Sequence, residues 1–463
     1  MLYIRRFTEI FSPRHNHGYI FLLIVSILLS INFILTPLDG DQRVSIAYAQ
    51  QASIKGDFPS NLTKAWNLRG IGYNLTTYLV YTSASSISDY DNKRFFEVIF
   101  KFHVLILYIV GTFASVFFCR KGLNKRGLDY ISVGFLIYSS FVTLSYWASY
   151  QPEDIAAILG IVGIGIGVSK VRYSYVLSGI LLSLTVTLKG STGIIAPVGV
   201  LIIVAYDGGL YYDHIKLLFS GVLTGILIVS GLYYFFPMAI QDIVDATIFQ
   251  STGNTSLSRR LYSVYQFRSE FVHIPVLGIS SILGVYVWIR SIYRRNIKRF
   301  TIISLVSALP ILMIFIQGRG FAYHFSMLIP TGIFLILYTS ETHAKKPILG
   351  GVLVIVFLLT ALLSTTPFSL ASEITYTKSP SPIVAVEKLK ESQTEYQKVK
   401  AIIDTPDDIL YLTDGRPTYY LGNKSVLRYH YPLPLQRSNA RGTDIFRRTY
   451  KEALNSDPDF ITH

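Results

Sequence analysis

The sequence predicts a mainly α protein, a polytopic bundle of about eleven transmembrane helices with a small extracytoplasmic α/β domain at its carboxyl end. Three observations carry this prediction. Apolar runs of about 15–22 residues recur along the chain, separated by short polar breaks. Charged residues make up 15% of the chain, against about 25% in an ordinary soluble domain, and hydrophobic residues reach 51%. The basic residues also gather in alternate breaks, as the positive-inside bias of membrane proteins requires.

Taken in order, the predicted spans are Gly18–Thr36, Phe96–Cys119, Leu128–Ala148, Asp154–Ser169, Tyr173–Leu188, Thr192–Ala205, Leu217–Phe236, Pro275–Ile292, Phe300–Ile316, Ala322–Tyr338 and Leu349–Ser364. The first run follows a basic stretch and lacks a small-residue cleavage site, so it reads as a helix and not a removable signal. With the amino terminus cytoplasmic, the cytoplasmic breaks hold Arg5, Arg6, Arg14, Arg120, Lys121, Lys170, Arg172, Lys216, Arg290, Arg294, Arg295, Lys345 and Lys346, among others. The short external breaks hold only Lys189 and Arg319. The net charge of +14 is therefore topological and does not point to nucleic acid.

Residues 1–366 form the predicted membrane module, with external loops at 38–95 and 238–273. Residues 367–463 form the predicted external domain. In the first loop, Tyr73–Ile87 suits a helix lying in the interface. In the tail, charge density rises. Ser381–Ile403 and Thr449–Leu454 read as helices, Ile409–Thr413 and Val426–Tyr431 as strands, and the last residues as a further strand. Four Asn-x-Ser/Thr sequons, at Asn61, Asn74, Asn254 and Asn423, fall in segments predicted to be external. The one cysteine, Cys119, excludes an internal disulfide and a cysteine metal site, and reads as a small buried side chain.

Four clusters could carry chemistry. Leu38-Asp39-Gly40-Asp41 sets two carboxylates one residue apart at the outer end of the first helix. Such a pair can share a divalent cation, Mg or Mn, on Asp41, or supply a general base, although Asp and Gly also suit a plain turn. Gln151-Pro152-Glu153-Asp154 starts a helix at the same face, where acids also serve as caps. Lys189 interrupts two apolar runs ahead of Gly190-Ser191-Thr192-Gly193, whose N–H groups could bind phosphate oxygens at a helix start. Arg319 and His324 lie in Gly318-Arg319-Gly320-Phe321-Ala322-Tyr323-His324, where a guanidinium can grip phosphate and an imidazole can move a proton. The topology, fixed from other residues, puts all four clusters on one face. Gly163-Ile164-Gly165-Ile166-Gly167 imitates a nucleotide loop, but it sits inside an apolar span and reads as close helix packing.

These motifs, in this order, resemble the GT-C superfamily of polytopic glycosyltransferases, which includes protein mannosyltransferases and lipid A aminoarabinose transferases. The likeness extends to Met327-Leu328-Ile329-Pro330 and to the tail segments Ile409-Leu410-Tyr411-Leu412, Tyr419-Tyr420-Leu421-Gly422 and Arg428-Tyr429. It implies an inverting transfer of a sugar from a polyprenyl-phosphate donor to a glycan, lipid or protein acceptor on the extracytoplasmic side of the cell membrane. Asp39 or Asp41 would be the base. Lys189, Arg319 and His324 would contact the donor phosphate, and Glu153 and Asp154 would face substrate. Relatives often carry adjacent acids where this chain has Asp-Gly-Asp. A transporter or lipid flippase is the rival reading. It would place charges near the bilayer midplane within broken helices, and the predicted spans carry almost none there.

Overall fold

A computed structural model describes residues 16–36, 38, 40–56, 69–89, 92–124, 130–142, 150–169, 171–207, 212–235, 257–266, 275–318, 322–342, 408–411, 419, 424–425, 444–455 and 460–462. Over these residues the protein is mainly helical. The helices are α1 (Asn16–Leu35), α2 (Gly40–Ile54), α3 (Ile71–Ser85), α4 (Lys93–Asn124), α5 (Tyr130–Val142), α6 (Pro152–Ser169), α7 (Ser174–Leu184), α8 (Ile195–Asp207), α9 (Tyr212–Phe235), α10 (Leu257–Tyr265), α11 (Pro275–Tyr293), α12 (Ile297–Gln317) and α13 (Ile329–Thr342). Three 3-10 turns, Thr185–Thr187, Gly190–Ile194 and Ala322–Leu328, interrupt the sequence of helices.

The apolar runs become helices because only a helix satisfies its own backbone where no water is present. Among the described residues, four stretches are long and apolar enough to cross a membrane: Lys93–Arg120, Pro152–Ser169, Val276–Tyr293 and Ile297–Gln317. Shorter apolar helices stand at Leu22–Leu35, Val133–Val142, Ser174–Thr187, Gly190–Ala205, Leu218–Leu232 and His324–Tyr338. The eleventh predicted span, Leu349–Ser364, lies outside the described residues. Many outward-facing side chains are large and apolar, such as Leu28, Phe113, Phe117 and Leu227. That surface suits lipid and not water. By contrast, α6 is buried on nearly every side and packs against α4, α7 and α8.

Small residues set the closest approaches. A Cβ on Gly221 would lie 2.2 Å from the Val176 carbonyl oxygen, and one on Gly179 would lie 2.5 Å from that of Leu218. Helices α7 and α9 therefore touch backbone to backbone. The Gly163-Gly165-Gly167 stretch lets the side chains of Leu182, Cys119 and Ile203 pack closely on α6. That is the packing role expected for it, and Cys119 is buried there.

The first predicted loop is more ordered than its polarity implies. The turn expected at Asp39-Gly40-Asp41 gives way at Gly40 to α2, which carries Asp41 in its first turn. Residues from Gln42 to Ala52 are buried, including Gln42, Ser45, Gln50 and Gln51. A helix buried on both faces shows no apolar stripe, so periodicity could not reveal it. Helix α3 occupies the stretch predicted to be interfacial and packs on α2 and α4. It buries Asn74, whose amide donates to the Arg69 carbonyl at 3.3 Å, so this sequon is no exposed acceptor. The other three sequons lie outside the described residues.

In the tail, β1 (Asp408–Tyr411), β2 (Lys424–Ser425) and β3 (Phe460–Thr462) form a parallel sheet in the order β2-β1-β3, with α14 (Asp444–Asn455) between the second and third strands in sequence. Ile409 pairs with Ser425 on one side and with Phe460 on the other. The predicted helix at Ser381–Ile403 lies outside the described residues.

Candidate functional site

Five chain segments meet at one end of the bundle: the first turn of α2, the entry to α3, the first turn of α6, and the 3-10 turns at 190–194 and 322–328. Helix α6 packs against both of these turns. The entry to α3 is fixed by backbone contact, since the Gly70 N–H donates to the Leu188 carbonyl at 2.9 Å. A Cβ at Gly70 would lie 2.1 Å from the Thr187 carbonyl oxygen, so a glycine is required for this approach.

Glu153 is the centre of the cluster. Its side chain is fully buried. One carboxylate oxygen, Oε1, accepts from the Lys189 ammonium and lies 3.7 Å from His324 Nε2. The other oxygen, Oε2, is buried with no hydrogen-bond partner among the described residues. Lys189 keeps 16% of its side chain exposed, and its extended backbone opens the turn that follows. The expected phosphate cradle at Gly190–Gly193 differs in one respect. A short 3-10 turn forms first, and the Thr192 N–H is taken by the Lys189 carbonyl at 2.9 Å. The Lys189 ammonium and the start of this turn therefore stand in the same loop.

Arg69 joins this centre to the acidic segment. Its guanidinium donates to the Gln151 side-chain oxygen and lies 3.4 Å from Asp41 Oδ2, stacked 5.3 Å above the Tyr73 ring. Burial pushes the Tyr73 phenol up to about 12, so it stays a neutral donor to the Tyr150 carbonyl at 3.0 Å. Asp41 keeps 43% of its side chain exposed, in contrast to Glu153.

Asp154 faces elsewhere. It accepts from the Tyr108 hydroxyl and from the backbone N–H groups of Tyr150, at 2.9 Å, and Gln151. Tyr150 has φ 56°, a left-handed conformation uncommon outside glycine. Asp154 holds that turn in place, which is the capping role that acids play at a helix start. Its carboxylate is thereby turned onto the Tyr150–Gln151 backbone, whereas that of Glu153 faces Lys189 and His324.

Asp41, Glu153, Lys189 and His324 are therefore brought together. Asp39 and Arg319 lie outside the described residues. Arg319 follows directly on Gly318, the left-handed cap of α12 at φ 61°, and precedes the turn that carries His324. No group of three or more His, Cys, Asp and Glu gathers among the described residues. Arg69 supplies the positive charge that faces Asp41, where a divalent cation was expected.

Sequence reasoning missed Arg69, Gln151 and a second buried set on α4. Lys93, Glu97 and Lys101 follow at four-residue spacing, so they share one helix face, and all three are buried. That spacing, at the start of an apolar run, was the available signal. Arg69 offered only its neighbours, Gly70 and Gly72.

Fold and site together define a helix bundle with membrane-length apolar helices and a cluster of ionic side chains at one end. Comparison with protein-family models and with curated proteins finds no match.

Proposed function

We propose that this chain is a membrane glycosyltransferase that moves a sugar from a polyprenyl-phosphate donor to an acceptor on the extracytoplasmic side. Its spans would number about eleven, with a cytoplasmic amino terminus and residues 367–463 forming an external α/β domain. The reading is carried by one observation: Asp41, Arg69, Glu153, Lys189 and His324 converge from distant parts of the chain. Transfer to a hydroxyl needs a reachable base and cations for a departing phosphate. Asp41 is open enough to meet an acceptor, and Lys189, Arg69 and His324 stand nearby.

In this reaction the acceptor oxygen forms a bond to the anomeric carbon as its proton passes to the Asp41 or Asp39 carboxylate. The bond from that carbon to the phosphate oxygen breaks, and its electron pair leaves on the polyprenyl phosphate. A single displacement inverts the anomeric centre. A positioned base contributes about 10²–10⁴-fold. Cations held toward the leaving group stabilise its charge without reorganising.

A second feature suits a lipid donor. A cavity of about 470 Å³ lies among α11, α12 and α13, lined by Leu277, Ser280, Gly284, Trp288, Leu328 and Gly332. Leu328, which lines it, ends the same turn that carries His324. The buried charges of α4 sit within its first three turns and not along its length, which disfavours the transporter reading.

The test uses the full chain in lipid nanodiscs with synthetic polyprenyl phosphates carrying mannose, glucose or arabinose, and released polyprenyl phosphate measured by mass spectrometry. Turnover of at least one donor is expected, falling about 10²-fold or more in both Asp39→Asn and Asp41→Asn or in one of them. Full activity in both variants, or no turnover together with no binding of polyprenyl phosphate, sinks the reading.

A further inference from the structure

Glu97 joins three distant segments through one carboxylate. Its Oε2 accepts from the Leu38 N–H at 3.2 Å, and its Oε1 accepts from Arg43 Nε at 3.0 Å. Leu38 and Arg43 bracket the acidic segment, one on each side of Asp39-Gly40-Asp41-Gln42. The same Oε1 accepts a third hydrogen bond, 2.9 Å long, from the hydroxyl of Tyr419 in the tail. Glu97 and Tyr419 are 1% and 0% exposed.

The tail tyrosine is held as firmly as the carboxylate. The Arg43 guanidinium lies 5.7 Å from its ring centre and the Lys93 ammonium 5.2 Å. Strand β2 of the tail also touches α2. A carboxylate removed from water must be matched by donors and charge, and Glu97 finds both only when all three segments are in place. A purely structural anchor could grip any helix. This one grips the residues on either side of the acidic segment, and Asp41 lies two residues from Arg43.

We propose that Tyr419 is a positioning residue: through Glu97 it fixes both ends of the Leu38–Arg43 segment, so that the tail sets the placement of Asp41 opposite Arg69. Its consequence for turnover rests on the sugar-transfer reading, whereas its consequence for the segment itself does not. The phenol hydroxyl is the part that matters, because the ring alone would keep the cation contacts.

The test is hydrogen exchange by mass spectrometry on the full chain in lipid nanodiscs, with Tyr419→Phe. Losing a hydrogen bond to a charged group should speed exchange of the Leu38–Arg43 peptide about tenfold or more, while peptides from α6 and α8 stay unchanged. Glu97→Gln keeps an acceptor but loses the charge, and should loosen the same peptide. In the turnover assay, Tyr419→Phe should lower kcat about tenfold and leave KM for the donor within about twofold. Added to Asp41→Asn, it should lower turnover no further, because the group it places is already gone. A protected Leu38–Arg43 peptide in both variants overturns the inference, as does a full multiplicative loss in the double variant. If that peptide loosens but Asp39→Asn and Asp41→Asn are both fully active, the positioning role stands and the sugar-transfer reading falls.

Discussion

Replacing Lys189 by Met removes the charge that balances Glu153 and leaves a side chain of similar length. Glu153 is fully buried and its Oε2 has no hydrogen-bond partner among the described residues, so its carboxylate would lose its one strong donor. Removing one member of a buried pair costs about 3–5 kcal/mol. Two features reduce that figure. Lys189 is 16% exposed, so the pair is not wholly dry, and His324 is 3.7 Å from the same oxygen and can carry a proton. An expectation of about 2–3 kcal/mol follows. Glu153→Gln should cost less, about 1–2 kcal/mol, because the lysine head can reach water along its flexible stem. The double variant removes both charges and should recover about 1–2 kcal/mol relative to the sum of the singles. Equilibrium unfolding in mixed micelles of mild and denaturing detergent reads all three values. Additive losses would refute the pairing, and so would a Lys189→Met loss below about 0.5 kcal/mol.

Two further outcomes are expected. Gly70→Ala should destabilise the protein by about 1–3 kcal/mol in the same unfolding assay, because its Cβ would meet the Thr187 carbonyl at 2.1 Å and backbone must shift. Equal stability would show that α3 does not rest on the Lys189 loop. Tyr73 should give an alkaline limb to stability: its phenol is raised from 10.0 to about 12, so below pH 10 the neutral form is kept in both states, while from pH 10 to about 12 only the unfolded chain ionises. Stability should therefore fall as pH rises across that window, by on the order of 2–3 kcal/mol, and Tyr73→Phe should flatten the fall.

Much of the helical framework was legible because apolar runs of membrane length have few alternatives. Among the described residues, the runs predicted from Gly18 to Tyr338 fall on helices or 3-10 turns, four of them long and apolar enough to cross a membrane, and the run predicted to reach Ala148 is described only as far as Val142. The meeting of Asp41, Glu153, Lys189 and His324 was legible too, because topology gathers residues that are far apart in sequence at one end of a bundle. What could not be read was the division of labour between neighbours. Glu153 and Asp154 look alike in sequence, but helix geometry turns one toward Lys189 and the other back onto the Tyr150 turn. Helix α2 was hidden because burial on all sides erases periodicity. Arg69 and Tyr419 act through contacts with residues 28 and 322 positions away, Asp41 and Glu97, and no local pattern encodes such partners.

The pairing of charges also bears on how, on the proposed reading, this cluster would receive a phosphate. Three acids each face a cation: Glu97 faces Arg43, Glu153 faces Lys189, and the more open Asp41 faces Arg69. The Glu153 carboxylate holds the Lys189 ammonium in place, and on the proposed reading this is preorganisation of the kind that stabilises developing charge. A donor phosphate entering beside Lys189 would meet Glu153 as a like charge, unless Oε2 receives a hydrogen bond from the sugar. That oxygen is the buried acceptor left without a described partner. On the proposed reading, Glu153 then distinguishes a sugar-bearing donor from bare polyprenyl phosphate: Glu153→Gln should narrow the difference in affinity between the two, measured by competition in nanodiscs. An unchanged difference would remove Glu153 from substrate contact and leave it as a counterion for Lys189 alone.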